Sequence, residues 1–390
     1  MKILVVTTSF GQFSDSHTVR LLNMLSQLPD NYSITYCYPA TFGKDQVNIA
    51  LSPNHLLRMS SYLQKHTRYL YRIFANLTKN LYFPDRFSGF SKVAVNHFED
   101  KFEYDVILSA SGSIESHITG YKIAKKFRKP LVLDYGDPIF SLVTSNKTEK
   151  IRAIENEILD YATHVIFTTY ATKNQYDLEF GCANKSTVVH YGYDQNKIDT
   201  SCQFDTCDIN FSSVLYFTHI GTAFTNDRNL SPFIEALSLY QKQAKENVGF
   251  ILAGRRSLVF SELANKLLID NFKDYELLDY NLALEIQRKS EVNIIVGNKD
   301  GRQVPGKIFA LAAVSKKILY INQCDIEDDE SLKILSKHRG LFICRNEKKD
   351  LLKTITKMLE LKSSSQESYE FEEYESSNLS KKILDIIDAC

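Results

Sequence analysis

The chain has 390 residues, 47 basic and 47 acidic side chains, and seven cysteines. That length exceeds what one hydrophobic core ordinarily serves, so two domains are expected, and the cancelling charges remove the global field that draws a protein onto nucleic acid. An odd cysteine count with no CxxC pair argues against a disulfide framework or a zinc site and points to reduced thiols in a cytoplasm.

The N-terminal run ends at Thr7, too early for a signal peptide, and no run approaches the length of a membrane span. Residues 3–6 have the continuous apolar pattern of a strand buried on both faces of a parallel sheet. A polar loop over 7–16 contains Gly11 and leads into a helix expected to bury Val19, Leu22, Leu25 and Leu28. Residues 32–38 alternate as a second strand, the β-α-β start of a doubly wound sheet. Neither GxGxxG nor GxxxxGK[ST] occurs, so NAD and ATP chemistry are not expected.

Over 51–83 the composition changes. Arg58, Lys65, Arg68, Arg72 and Lys79 interleave with aliphatic and tyrosine residues, and no acidic residue is present. Such a helix can lie on an anionic bilayer, each basic residue adding about 1 kcal/mol. Its apolar stripe is also wide enough to pack on its own domain, and both readings stay open.

Pro84, Asp85 and Gly89 break this pattern before a helix over 92–101. A strand at 105–109, a small-residue loop opening a helix, and a strand at 131–134 follow. Next come a helix over 148–161, a strand at 164–168, a helix over 171–180 closed by Gly181, and a strand at 186–190. Ligands of such sheets bind at the C-terminal strand ends, which places 109–117 and 134–137 on the edge that carries the Gly11 loop. Residues 192–213 are polar and mark a boundary. Strands near 214–217, 249–253, 276–278, 292–296, 318–321 and 341–344 then alternate with helices, and a last helix runs over 379–387. The expected organisation is a Rossmann-like domain over 1–193, a linker over 194–213, a second Rossmann-like domain over 214–375, and a terminal helix within 376–390.

The stretch 303–322 carries the strongest ligand signal. Pro305 suits a first helical turn, Gly306 lets a backbone approach a ligand, and Lys307 stands beside exposed first-turn N–H groups. An ammonium there opposes the helix dipole unless an anion lies between them, which points to a phosphate site; a solvated surface lysine is the alternative. Gly221 and Thr222 form a turn after a strand, Arg228 precedes a helix, and Arg255 and Arg256 follow the 249–253 strand. With Lys307 these place cations at three successive sheet-edge loops, as a diphosphate requires. In the first half, Asp134 and Asp137 of LDYGDP stand just past a buried strand, where a carboxylate can accept a proton, orient a hydroxyl or stabilise a cationic transition state. Asp137, before Pro138, equally suits a turn or an N-cap. His117, at a helix start, is either structural or part of the site. No Ser-His-Asp or Cys-His nucleophile is evident, and no DxD metal motif stands at a strand end.

Seven segments in order, YDVILSASGSIESH, KPLVLDYGDP, EILDYATHVIFTT, VVHYGYD, HIGTAFTNDRNL, FILAGR and VPGKIFALAAVSKKIL, resemble the retaining glycosyltransferases of family 4 over nearly the whole chain. FPDRFSGF resembles a segment of members that build bacterial surface polysaccharides. The resemblance implies an α/β chain of two Rossmann-like domains facing across a cleft (GT-B), with a nucleotide-sugar donor held mainly by the second domain. It implies Arg228 and Lys307 at the diphosphate with the Gly11 loop facing it, His117 and Asp137 flanking the sugar and the acceptor hydroxyl, and no metal or other cofactor. The terminal helix would cross back onto the first domain. Three positions depart from the pattern: Ala310 replaces a usual ribose-binding glutamate, Gly136 a frequent arginine, and Gly11 stands alone in a loop that is usually glycine-rich. Loss of the ribose acceptor would cost roughly 1.5–3 kcal/mol of donor binding.

The expectation is therefore a cytoplasmic glycosyltransferase that moves a sugar, with retention, from a nucleoside diphosphate to a cell-surface glycan or lipid-linked acceptor. Its expected partners are that donor, that acceptor and, through 51–83, an anionic inner membrane face; nucleic acid is not among them. Ala310 motivates a non-catalytic subunit of a partner transferase as an alternative. A sugar-nucleotide epimerase on the same architecture is another.

Overall fold

The structure, a computed structural model, describes residues 1–10, 16–40, 48–51, 59–60, 62–63, 66–67, 69–70, 73, 82–99, 101–139, 148–206, 208–243, 246–361 and 371–390. It divides into two compact units, Met1–His190 with Leu379–Cys390 (unit 1), and Tyr191–Asn378 (unit 2).

Unit 1 contains β1 (Lys2–Val6), α1 (Ser16–Leu25), β2 (Ser33–Pro39), β3 (Ile49–Leu51), α2 (Phe90–His97), β4 (Val106–Ser111) and α3 (Ile114–Phe127). It continues with β5 (Leu131–Tyr135), α4 (Thr148–Tyr161), β6 (His164–Phe167), α5 (Tyr170–Phe180) and β7 (Ser186–Val188). The strands form one parallel sheet in the order β3-β2-β1-β4-β5-β6-β7. Strand side chains alternate between faces, so Leu4 and Val6 join the cluster of Phe90, Ile107 and Leu131, while Ile3 and Val5 join Leu21, Leu108, Leu379 and Ile383.

Helix α1 departs from the expected face. It leaves Val19 and Leu22 45% and 39% exposed and buries Thr18, Arg20, Leu21, Met24 and Leu25. The physical reason is Arg20, whose buried guanidinium pairs with Asp134, so the inward face of this helix carries a charge that an apolar count cannot see. In the 51–83 segment, residues 59, 60, 62, 63, 66, 69, 70 and 73 are helical, and Met59, Tyr62, Tyr69, Leu70 and Ile73 are exposed. Its five basic residues lie outside the described residues.

Unit 2 contains α6 (Gln195–Ser201), β8 (Leu215–Ile220), α7 (Ser231–Gln243), β9 (Val248–Ala253), α8 (Leu258–Lys266), β10 (Phe272–Tyr275) and α9 (Tyr280–Lys289). Then follow β11 (Val292–Val296), α10 (Lys307–Val314), β12 (Lys317–Asn322), α11 (Glu330–Leu335), β13 (Leu341–Arg345) and α12 (Lys348–Glu360); the last helix of the chain is α13 (Ser376–Asp388). The parallel order β10-β9-β8-β11-β12-β13 repeats the β3-β2-β1-β4-β5-β6 part of unit 1. The strand expected at 276–278 is instead β10, at Phe272–Tyr275; as an edge strand carrying Lys273 and Asp274 it has no apolar run to announce it. The 194–213 stretch is not featureless: Asp194 caps α6, and Ile198 packs with Tyr193 and Leu284. No helix among the described residues is long and apolar enough to cross a membrane.

In each unit the chain direction of strand addition reverses once, between β1 and β4 and between β8 and β11, where α/β sheets open a crevice. Strand β8 pairs with β11 at Phe217–Val292 and Thr218–Asn293. Beyond that, His219 reaches across, its Nδ1–H donating to Ile294 O at 3.1 Å.

Candidate functional site

The end of β8 in unit 2 is built around Lys307. Lys307 is the first residue of α10, and its Nζ donates to Ile220 O at 2.9 Å. The ammonium lies against Gly221, whose φ of 148° and missing Cβ leave it room. Gly254, at φ 109°, packs on the Gly221 carbonyl, and Ala223 N donates to Arg255 O at 3.0 Å, so the turn holding Thr222 is tied to the loop after β9.

Arg228 presents Nη2 and Nε to Asn298 Oδ1 at 2.7 and 3.2 Å, and Asn298 Nδ2 donates in turn to Gln303 O at 2.8 Å. Among the described residues, Lys307 and Arg228 thus bond only neutral acceptors. Burial, and then the positive charge of Arg228, bring the Lys307 ammonium down to about 7. Burial, Lys307 and Arg228 likewise push His219 down to about 3, so it is neutral. Lys307 and Arg228, without a carboxylate partner among the described residues, form a corner that favours an anion, and a diphosphate would be stabilised there.

Several expected residues take different parts. Pro305 precedes α10 rather than occupying its first turn, and its carbonyl accepts Ile308 N–H at 3.0 Å. Gly306 is glycine because of Tyr191: a Cβ would stand 2.7 Å from Tyr191 Cδ1, so the close approach is to the protein's own ring. Arg256 pairs with Asp274 and donates to Gly254 O, whereas the Arg255 side chain is exposed. Ala310 is 6% exposed in the cluster of Tyr191, Leu284, Ile308 and Phe309. A carboxylate there would lie among apolar groups, so alanine fits the packing.

At the strand ends of unit 1, Asp134 is 3% exposed and takes Nη2 and Nε of Arg20 on its two oxygens at 2.8 and 3.2 Å. Arg20 Nη1 continues to His190 O at 2.6 Å. This closed pair makes Asp134 part of the scaffold, contrary to the catalytic role expected for it. His117 is fully buried, shares a 3.0 Å hydrogen bond between Nδ1 and Ser109 Oγ, and stacks on Tyr135 at 4.3 Å. It therefore sits inside the layer and not on an open edge. Asp137 is the exposed carboxylate, 37% accessible, with its Oδ2 3.5 Å from His17 Nε2. Its loop is pinned by Thr168 Oγ1 donating to Gly136 O at 2.9 Å and Ile139 N donating to Tyr176 Oη at 3.0 Å. Asp85 of the FPDRFSGF segment accepts from Ser113 Oγ and Glu115 N at the start of α3. Gly11 lies outside the described residues.

The fold thus gathers Lys307, Arg228, Gly221 and Thr222 with His219 and Asn298, which the sequence reading missed. It joins Asp137 to His17, also missed. Asn298 is signalled by its place two residues past a buried strand, and His17 by glycines at equivalent positions after adjacent strands. No group of three or more potential metal ligands occurs among the described residues.

No protein-family model matches the chain, and no curated protein matches it in sequence. Solved structures do match. Anabaena HepE in complex with UDP superposes with a TM-score of 0.64 at 12% identity, covering 100% of both chains. A putative UDP-N-acetylglucosamine 2-epimerase from Listeria monocytogenes gives 0.60 at 14% identity, over 100% of this chain and 96% of that one. Sucrose-phosphate synthase from Thermosynechococcus elongatus gives 0.55 at 12% identity, over 100% and 94%. With two parallel Rossmann-type sheets, these likenesses define an α/β protein of the GT-B fold class.

Proposed function

We propose that this chain is a sugar-nucleotide enzyme, and specifically a glycosyltransferase that moves a sugar from a nucleoside diphosphate to a cell-surface glycan or lipid-linked acceptor with retention. The observation that carries the reading is the Lys307–Arg228 corner, two partly buried cations bonded only to neutral acceptors among the described residues. Two such charges repel unless an anion lies between them, and a diphosphate fits that need. HepE has been solved with UDP and with UDP-glucose, which supports uridine diphosphate as the ligand class to test first. In this reading unit 2 binds the donor and unit 1 serves the acceptor, with Asp137 orienting a hydroxyl. As the bond from the sugar to the diphosphate breaks, the electron pair leaves on the diphosphate, where Lys307 and Arg228 hold the charge.

The test is a thermal-shift series with UDP, GDP, ADP, CMP and TDP, repeated on Lys307→Ala. A ligand at 100 times its Kd stabilises the state it binds by about 2.7 kcal/mol. One nucleotide is expected to raise the midpoint, with the rise lost in the variant; no rise with any of them at millimolar concentration sinks the reading.

The likeness to the Listeria protein favours epimerisation as the second reading. An epimerase converts UDP-N-acetylglucosamine with no acceptor present, and a transferase does not. The exposed Met59, Tyr62, Tyr69, Leu70 and Ile73 support a membrane contact for the transferase at the cytoplasmic face. Failure to sediment with anionic liposomes at low salt removes that part.

A further inference from the structure

Two glycines of unit 1 are explained by one histidine. Gly112 and Gly136 follow β4 and β5 at adjacent register positions, since Ser111 pairs with Tyr135. Neither adopts a positive φ, so the backbone does not demand glycine at either place. Space does. A Cβ on Gly112 would stand 2.9 Å from His17 Nε2, and one on Gly136 would overlap the same ring at Cε1 and Nδ1. The imidazole thus occupies a notch cut by two missing side chains. His17 stands near the start of α1, its side chain is 15% exposed, and Asp137 Oδ2 lies 3.5 Å from its Nε2.

We propose that His17 is a positioning residue for Asp137, and that the notch of Gly112 and Gly136 exists to hold the imidazole where it orients that carboxylate. The proposal rests on the reading of unit 1 as the acceptor side, since a carboxylate held in one orientation is what accepts a hydrogen bond from a sugar hydroxyl. The pairing stands on geometry. An imidazole 15% exposed beside a carboxylate 37% exposed is partly shielded from solvent, and a ring held in a notch loses little conformational freedom in making the pair. The other titratable groups on the surrounding elements are already committed. Arg20 of α1 and Asp134 of β5 pair with each other, Glu115 of α3 accepts Ser91 N–H, and His117 of α3 bonds Ser109.

The test is an NMR titration of the full chain without nucleotide, following His17 Cε1–H. Asp137→Asn is expected to lower the His17 midpoint by about one pH unit, a tenfold loss of proton affinity. Gly136→Ala, which puts a methyl where the ring lies, is expected to reproduce the His17 change with both partners still present. A His17 midpoint that is the same in the parent and in Asp137→Asn overturns the proposal, whatever Gly136→Ala does. A nucleotide series with no thermal shift would sink the donor reading and leave this result standing, so the two failures are distinguishable.

Discussion

Unit 1 and unit 2 share a parallel strand plan, yet Arg20 in the first and the Lys307–Arg228 corner in the second are partnered in opposite ways. In unit 1 the buried Arg20 meets Asp134, and His17 stands beside Asp137. In unit 2 the cations Lys307 and Arg228 rest on a carbonyl and an amide oxygen, and their mutual repulsion stays uncompensated. A paired charge fixes the fold around it, whereas two like charges side by side lower the cost of bringing an anion between them. The Rossmann sheet supplies the same strand ends to both.

The largest expected effect breaks the paired side. Arg20→Ala leaves Asp134 buried without its cation, and chemical denaturation is expected to show unit 1 losing about 3–5 kcal/mol. Arg20→Met with Asp134→Leu should recover most of that, because the apolar pair removes both charges together. On the other side, Lys307→Met should not reduce folded stability, since it deletes a cation that faces Arg228. It should weaken UDP binding by calorimetry, by an amount typical of a charge-assisted hydrogen bond, about 1.5–3 kcal/mol.

The pH dependence sharpens the contrast. Lys307 in the free protein is held at about 7, below its unfolded value of 10.5. Between those values the unfolded chain keeps a proton that the folded chain has released, so this group's contribution to stability rises with pH through that window and is lost as pH falls through 7. Anion binding needs the charged form. UDP affinity is therefore expected to fall as pH rises above about 7, by at most tenfold per unit, and Lys307→Met should abolish that slope. The smallest effect is Ser109→Ala, which removes the hydroxyl on His117 Nδ1 and should cost about 1 kcal/mol in a thermal melt.

Most strands and the convergence of Lys307 with Arg228 were legible because they rest on short-range signals. Continuous apolar runs mark strands buried on both faces, and Gly-Lys before an apolar helix marks a charged helix start. What escaped notice was side-chain pairing between distant segments. Arg20 turned α1 so that Val19 and Leu22 face outward, and nothing local in that helix indicates that Asp134 waits 114 residues later. Asp134 and Asp137 look alike in LDYGDP, but one points into the layer and the other out of it. The glycines at 112 and 136 were visible, and their meaning needed the ring that fills them.

The return of Leu379–Cys390 to unit 1 has a consequence for how the protein is made. Leu379, Ile383 and Ile387 complete the cluster of Ile3, Val5, Val106 and Leu108 on one face of the first sheet. During synthesis at about 5–20 residues per second, residues 191–378 emerge before those three side chains do. For about ten seconds or more the earliest strands wait with that face covered only in part, by Leu21, Met24 and Leu25 of α1. Unit 2 can finish folding first, and the N-terminal half becomes whole only when the ribosome has delivered its last helix.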